Sequence, residues 1–294
     1  MRAATSSWRH RPKARAVAAV LAGLLAWTPA TAQDRSVVPG RMGYNALPTV
    51  RNADPVVGDE VLLEVQLAAQ LSDLGAARDA SLTPYGRLVV PFRGLVALEL
   101  DAVPVELWRV SPETQQRLHA VAGRGVDLGD VRFGARFLLL SEQGALPALG
   151  LRFLTKTASG KGAESRRFTA SPGYLADALA GKDLVTWSGG DGRLRVLGKL
   201  GFLSWQQGDG WQDDGWDFGA TLQLRTRGGG RLELEWRGYS GYEARDRPRV
   251  AELTAAYPTG AVEWVATANR GIGPDAPPWE ARLGAIVHLP SPWR

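Results

Sequence analysis

The sequence contains no cysteine, and only three of its 294 residues are histidine. Without cysteine, the chain has neither a disulfide framework nor a lipoprotein anchor. With no cysteine and no pair of neighbouring histidines, the usual nitrogen and sulfur ligands of a metal site are also lacking. The sequence therefore predicts no metal site and no cofactor, and its stability must come from packing and hydrogen bonding rather than from crosslinks.

Long hydrophobic runs are equally scarce. The apolar stretch Ala16–Trp27 is shorter than the roughly 20 residues that a transmembrane helix needs. It follows a basic segment and precedes Ala30-Thr31-Ala32, which matches a small-x-small cleavage site. We interpret residues 1–32 as a signal peptide and Gln33 as the start of the mature chain; the alternative is an uncleaved N-terminal membrane anchor.

An alternation of apolar and charged residues organises the stretch Asp130–Gly160. Its two halves are separated by a short polar break and read as the two strands of a hairpin, each with one apolar and one basic face. The apolar faces carry Val131, Phe133, Phe137, Leu149, Leu151 and Phe153, and the opposite faces carry Arg132, Arg136, Arg152 and Lys156. One face in lipid and one in a polar lumen is the environment of a transmembrane β-barrel strand.

The same pattern predicts about twelve strands, joined alternately by short glycine-rich turns and by longer links. The fold class is thus predicted to be all-β, a transmembrane antiparallel up-and-down β-barrel over residues 61–294. We expect Glu280–Leu289 to pair with Val61–Leu71 and close it, and Pro104 to mark a bulge. Residues 33–60 lack periodicity and are predicted to be an extended lead-in, either periplasmic or inserted in the lumen.

Aromatic residues cluster near the predicted strand ends, as expected of the two girdles at membrane interfaces. An alternative is that aromatic residues simply favour strands. The residues next to long links are Trp108, Trp205 and Trp216, and those next to short turns are Phe92, Trp187 and Tyr257.

Several stretches resemble a group of largely uncharacterised bacterial outer-membrane β-barrel proteins, often described only as candidate transporters. They are GDVRFGARFLLL at Gly129–Leu140, KTASGK at Lys156–Lys161, SPGYLADALAGKD at Ser171–Asp183 and YSGY at Tyr239–Tyr242. The resemblance spans most of the mature chain and implies the barrel fold and the bacterial outer membrane. It implies no reaction.

Lumen-facing charges fall into two sets by strand. The basic set is Arg132, Arg136, Arg152, Lys156, Arg193, Arg195 and Lys199, and the acidic set is Glu64, Glu99, Asp101, Glu252, Glu263 and Glu280. Once the barrel closes, we expect the two sets to face each other across the lumen. That arrangement favours a channel or transporter for small polar solutes, including anions. The alternative is a lumen blocked by salt bridges, in a structural or surface-interaction barrel that acts through its loops.

Other functions are less favoured. Lys161, Arg166 and Arg167, in a long link, are candidates for binding lipopolysaccharide phosphates, or are simply solvated loop charges. The net charge of +5 is spread among apolar residues rather than in runs, so we expect outer-membrane lipid and lipopolysaccharide as partners and no nucleic acid. A lipid hydrolase needs a histidine beside a serine. His288 is predicted to face the lumen, but no serine occupies a recognisable partner position, so the sequence predicts no enzyme.

Overall fold

The computed structural model describes residues 49–71, 79–117, 122–160, 172–187, 192–206, 212–241, 247–272, 276 and 279–293. Over these residues the chain forms an antiparallel sheet closed on itself, with one short helix. The elements are β1 (Glu60–Leu71), β2 (Ala80–Phe92), β3 (Val96–Ala102), β4 (Glu106–Arg109), α1 (Pro112–Arg117), β5 (Arg124–Asp127), β6 (Val131–Leu140), β7 (Ala148–Lys156), β8 (Gly173–Trp187), β9 (Gly192–Gln206), β10 (Gln212–Arg225), β11 (Arg231–Gly241), β12 (Arg249–Thr259), β13 (Val262–Gly271) and β14 (Trp279–Pro290).

Pairing of the first and last strands closes the barrel. Val61 lies opposite Leu289 and Gln70 opposite Glu280, which confirms the predicted closure. Around the barrel the strands follow in the order β1, β2, β3 and then β6 to β14, each antiparallel to its neighbours. The predicted fold class, a barrel of twelve strands, is therefore confirmed. The hairpin β4–β5 and helix α1, in the long link after β3, were not predicted.

The strand predicted at Leu95–Trp108 is divided into β3 and β4 at Pro104. Gly86 lies opposite Ala102, and Leu82 lies opposite Leu107. From one pair to the next the chain advances four residues on β2 but five on β3–β4, so the β3–β4 side holds one extra residue. Pro84 of β2 lies beside the same interruption, where β2 is paired with β1 alone. Two residues without a backbone N–H thus lie where the pairing of β2 with β3–β4 is interrupted. For this reason β2 continues through Pro84 instead of starting at Tyr85 as predicted.

Alternate residues of each strand face outward. On β1, Leu63, Val65 and Leu67 are exposed, whereas Glu64 and Gln66 are buried. A barrel with an apolar outer surface and a polar interior matches the hydrocarbon of a bilayer outside and a lumen inside, and we place the protein in the bacterial outer membrane. In the part of the chain that the structure describes, no helix is both long and apolar enough to cross a membrane.

Candidate functional site

The polar interior of the barrel contains every residue of the predicted basic and acidic sets. The basic residues other than Arg193 are buried, and Arg193 is partly buried on the same face of β9 as Arg195. The acidic residues are all buried as well. Lys161, Arg166 and Arg167, the candidates for phosphate binding, lie outside the described residues.

Charge pairs within the wall join adjacent strands, or strands separated by one other, rather than opposite sides of the lumen. Arg132 donates to Asp101 at 2.8 Å and Arg136 lies 3.4 Å from Glu99, where the basic and acidic sets adjoin at β6 and β3. The expected separation into two facing walls is therefore incomplete. Carboxylates that the two predicted sets omitted explain the difference: Asp177 pairs with Arg152, and Asp217 of β10 lies 2.5 Å from Lys199.

The acidic side has its own cations. Glu252 accepts a hydrogen bond from Arg237 at 2.8 Å and forms an ion pair with Arg282 at 2.6 Å. Arg231 similarly lies 2.9 Å from Glu263. These arginines occupy inward-facing positions of their strands, so the alternation already placed them in the lumen. Their role was missed because acidic residues predominate on β11 to β14.

Residues 49–59, here called the lumen segment, run inside the barrel and lead directly into β1. Val50, Ala53 and Val57 are buried there, and the segment has no strand pairing with the wall. The predicted signal peptide and residues 33–48 of the predicted lead-in lie outside the described residues. The lumen segment ends at Asp59, since β1 begins at Glu60.

The basic side of the wall holds the backbone of the lumen segment. Three wall residues donate to its carbonyl oxygens, and the acceptors are neutral groups within a chain that has no regular structure. The bonds are Lys199 Nζ to the oxygen of Val50 at 2.6 Å, Arg152 to that of Arg51 at 2.9 Å and Arg136 to that of Asp54 at 2.6 Å. Part of the predicted basic set therefore binds peptide carbonyls as well as carboxylates.

Arg51 spans the lumen. Its carbonyl oxygen is held by Arg152 of β7, while its side chain lies 3.0 Å from Glu64 of β1 and 3.7 Å from Glu252 of β12. Going round the barrel, β7 is separated from β1 by β2, β3 and β6, and from β12 by β8 to β11. One residue thus connects opposite sides of the wall, and the lumen segment crosses the lumen at this level.

Asp54 of the lumen segment extends in the opposite direction, toward the basic side. Its carboxylate accepts two hydrogen bonds from Arg195, at 2.7 and 3.0 Å. Arg195 also donates to Glu142 at 2.7 Å and to Asp183 at 2.8 Å. The segment is therefore oriented by the charges of the wall, with its guanidinium on the acidic side and its carboxylate on the basic side.

Glu142, in the β6–β7 turn, supports this arrangement and gives it a pH dependence. Burial raises the pKa of the Glu142 carboxyl, but hydrogen bonds from Lys182 and Arg195 outweigh burial and lower the pKa to about 2. Because the folded pKa is below the ordinary value of about 4.3, the stabilisation is complete above that value and is lost as the pH falls toward about 2.

We accordingly expect Glu142→Gln to lower the urea concentration at the midpoint of unfolding near neutral pH. The difference from wild type should shrink below about pH 4, become small near the folded pKa of about 2 and vanish below it, where the side chain at this position is neutral in both proteins. Unfolding of the refolded barrel followed by tryptophan fluorescence provides the measurement. A difference that is constant across this range would show that the charge of Glu142 is not what matters.

Apolar contacts also hold the lumen segment against the wall. Val50 packs in a buried cluster with Leu154, Leu203, Trp205 and Tyr239. Trp205 is only 3% exposed, and Lys156 Nζ lies over its ring, 5.5 Å from the centroid. The assignment of Trp205 to an interfacial girdle is therefore wrong: the residue has the inward parity of β9. Trp216 and Tyr257, from the two predicted girdles, are exposed as expected.

Two glycines let the lumen segment approach the wall. A β-carbon built on Gly219 would lie 2.8 Å from Cγ of Asn52, and one on Gly150 would lie 3.0 Å from Cβ of Pro55. Side chains at these positions would collide with the segment. Asn52 instead donates to the hydroxyl of Thr221 at 2.8 Å.

His288 has a setting that differs from a hydrolase triad. Its Nδ1 lies 2.8 Å from the carboxylate of Glu60 and its Nε2 lies 3.2 Å from that of Glu263, so each ring nitrogen already contacts a carboxylate. A serine would have to displace one of them to be activated. Among the described residues no cluster of three or more His, Cys, Asp or Glu has the arrangement of a metal site.

Comparisons with known proteins give a fold and no closer relationship. No protein-family model matches the sequence, and a search of curated proteins found no match. An outer-membrane channel from Pseudomonas putida F1 superposes over 82% of this chain and 99% of its own, with a TM-score of 0.53 and 13% identity. This likeness confirms the resemblance to outer-membrane β-barrel proteins at the level of fold.

Two further structures are more distant. The KdgM porin covers 77% of this chain and 98% of its own, with a TM-score of 0.46 and 8% identity. The outer-membrane phospholipase A of Escherichia coli covers 87% and 99%, with a TM-score of 0.32 and 14% identity. Neither likeness is sufficient to indicate an activity, and the absence of enzymatic activity stays a prediction.

Proposed function

We propose that the protein is a gated outer-membrane channel for small polar solutes, including anions, in which the lumen segment is the gate. The observation that carries this proposal is the position of Arg51 across the lumen, from β7 to β1 and β12. Hydrogen bonds and ion pairs hold the segment, with no sheet pairing, so it can leave without breaking the barrel wall.

The wall keeps its own charge pairs when the segment leaves. Arg152 retains Asp177, Lys199 retains Asp217 and Arg136 retains Glu99, so no buried cation of the basic side is left without a carboxylate. Their hydrogen bonds to the backbone of the segment would become available for solute oxygens. Anions and carbonyl-bearing solutes are the groups that such donors favour.

A permanently blocked structural barrel is the second candidate. It is favoured by the number of charge-assisted hydrogen bonds on the lumen segment, among them those of Arg195 to Asp54. Such bonds are stronger than neutral ones, and a segment held by many of them could stay in place throughout the life of the protein. Loops outside the membrane would then carry the function.

Single-channel recording in planar bilayers discriminates the two candidates. We expect Arg51→Ala combined with Asp54→Ala to raise the open probability by at least about tenfold, since hydrogen bonds to charged groups contribute about 1.5 to 3 kcal/mol each. Arg195 keeps Glu142 and Asp183, so the wall remains paired. Val56→Ala is the matched control, because Val56 lies in the same segment but is exposed. A folded double variant that is as silent as wild type would favour the blocked barrel.

A further inference from the structure

The lumen surrounds residues 50–54 as a binding site surrounds a bound peptide. We propose that the lumen is a binding site for short peptides that carry a basic residue followed, three positions later, by an acidic one, and that the lumen segment occupies this site as a built-in ligand. The proposal rests on the proposed gating only in that the lumen segment must be able to leave the lumen. The specificity of the site for the order of the two charges follows from the charged residues of the wall.

Every type of peptide group has a partner in the wall. The side chain of Val50 lies in the apolar cluster with Leu154, Leu203 and Trp205. The carbonyl oxygens of Val50 and Arg51 accept from Lys199 and Arg152, which are themselves buried. On the other side of the same backbone, the amide of Asn52 donates to Glu235 at 3.4 Å. Donors and acceptors of the main chain are therefore both recognised.

The two charged side chains give the site a direction. Arg51 reaches Glu64 and Glu252, and Asp54 reaches Arg195. Exchanging the two charges would bring a carboxylate against the acidic side and a guanidinium against the basic side, and like charges placed together are strongly unfavourable in a restricted space. The order of the charges along the chain, and not only their presence, is thus selected.

A simple anion fits the wall less well than a peptide does. It would satisfy Arg195 or Lys199, but it would also face Glu64, Glu235 and Glu252, which are buried close to the segment. A peptide offers these carboxylates N–H groups and a cation while it offers oxygens to the basic side. Gly219, whose missing side chain makes room for Asn52, adds a matching recess.

Fluorescence anisotropy with dye-labelled peptides tests the inference. The receptor is the full-length Arg51→Ala/Asp54→Ala variant, whose own segment is weakened, and the probe is Thr-Val-Arg-Asn-Ala-Asp-Pro-Val, the sequence of residues 49–56. The control peptide is Thr-Val-Asp-Asn-Ala-Arg-Pro-Val, which has the same composition with the two charges exchanged. We expect saturable binding of the first and at least about tenfold weaker binding of the second.

Equal affinity of the two peptides, or no saturable binding of either, would overturn the inference. Binding does not require conduction, so a variant that binds the peptide without conducting would refute the proposed channel and leave the peptide site standing. A variant that conducts but binds neither peptide would refute the peptide site and leave the proposed channel standing. Heat-modifiable gel mobility checks folding, and if the double variant does not fold, Asp54→Ala alone serves as the receptor with the same two outcomes.

Discussion

Oxidation of the double variant Asn52→Cys/Gly219→Cys is expected to abolish the openings of the channel, and reduction is expected to restore them. A β-carbon on Gly219 would lie 2.8 Å from Cγ of Asn52, the position that the sulfur of a cysteine at 52 would take. In a disulfide each sulfur lies about 3 Å from the partner's β-carbon, so the two positions suit a bridge. Such a bridge would fix the lumen segment to β10, and the lumen would remain filled.

The protein is well suited to this experiment because it has no cysteine of its own. The single variants Asn52→Cys and Gly219→Cys are the controls, since neither can form the bridge and both should be insensitive to oxidant and reductant. Conductance is recorded in planar bilayers before and after addition of a reductant. If the crosslinked and reduced proteins conduct alike, movement of the lumen segment is not what opens the barrel.

Loss of the carboxylate at Glu252 should have the largest effect on stability. Glu252 lies 2.8 Å from Arg237, 2.6 Å from Arg282 and 3.7 Å from Arg51, and it is almost completely buried. Removing one partner from a buried ion pair costs about 3 to 5 kcal/mol, because a charge is left buried without compensation. We expect Glu252→Gln, which keeps the shape of the side chain, to lower the free energy of unfolding by an amount of this order.

The matched control is Glu60→Gln. The Glu60 carboxylate contacts His288, but its side chain is 48% exposed. Exposed ion pairs contribute about 0 to 1 kcal/mol, so this variant should unfold close to wild type. Equilibrium unfolding in urea, with the barrel refolded in lipid or detergent, measures both. Similar losses in the two variants would mean that the cluster around Glu252 is not a centre of stability.

Much of the barrel could be predicted from the sequence because each strand reports its two environments locally. The alternation in the predicted strand Arg231–Tyr239, for example, assigns a face to each residue without knowledge of the neighbouring strands. Closure followed from the alternation of short turns and longer links, which is typical of an up-and-down barrel whose last strand pairs with its first. The inward position of the basic and acidic sets followed from the same parity.

The lumen segment could not be predicted in the same way. Residues 49–59 have no periodicity, and their conformation depends on partners far away in the sequence, such as Arg195 for Asp54 and Glu252 for Arg51. The partners of the lumen charges could not be predicted either, because they also lie far away in the sequence. Whether Lys199 meets a carboxylate depends on the register of β9 and β10, which sets Asp217 two residues from the position directly opposite it.

The lumen segment precedes β1 without any intervening link, and β1 is the strand that completes the barrel by pairing with β14. The wall that surrounds the segment is contributed by strands from both ends of the chain, from β1 to β12. A closed ring offers the segment no sideways path, so it enters and leaves only through an open end of the barrel. Because Glu60 joins the segment to the strand that closes the ring, the segment stays tethered beside its own lumen whether it is in or out, and it returns to the site at a high effective concentration.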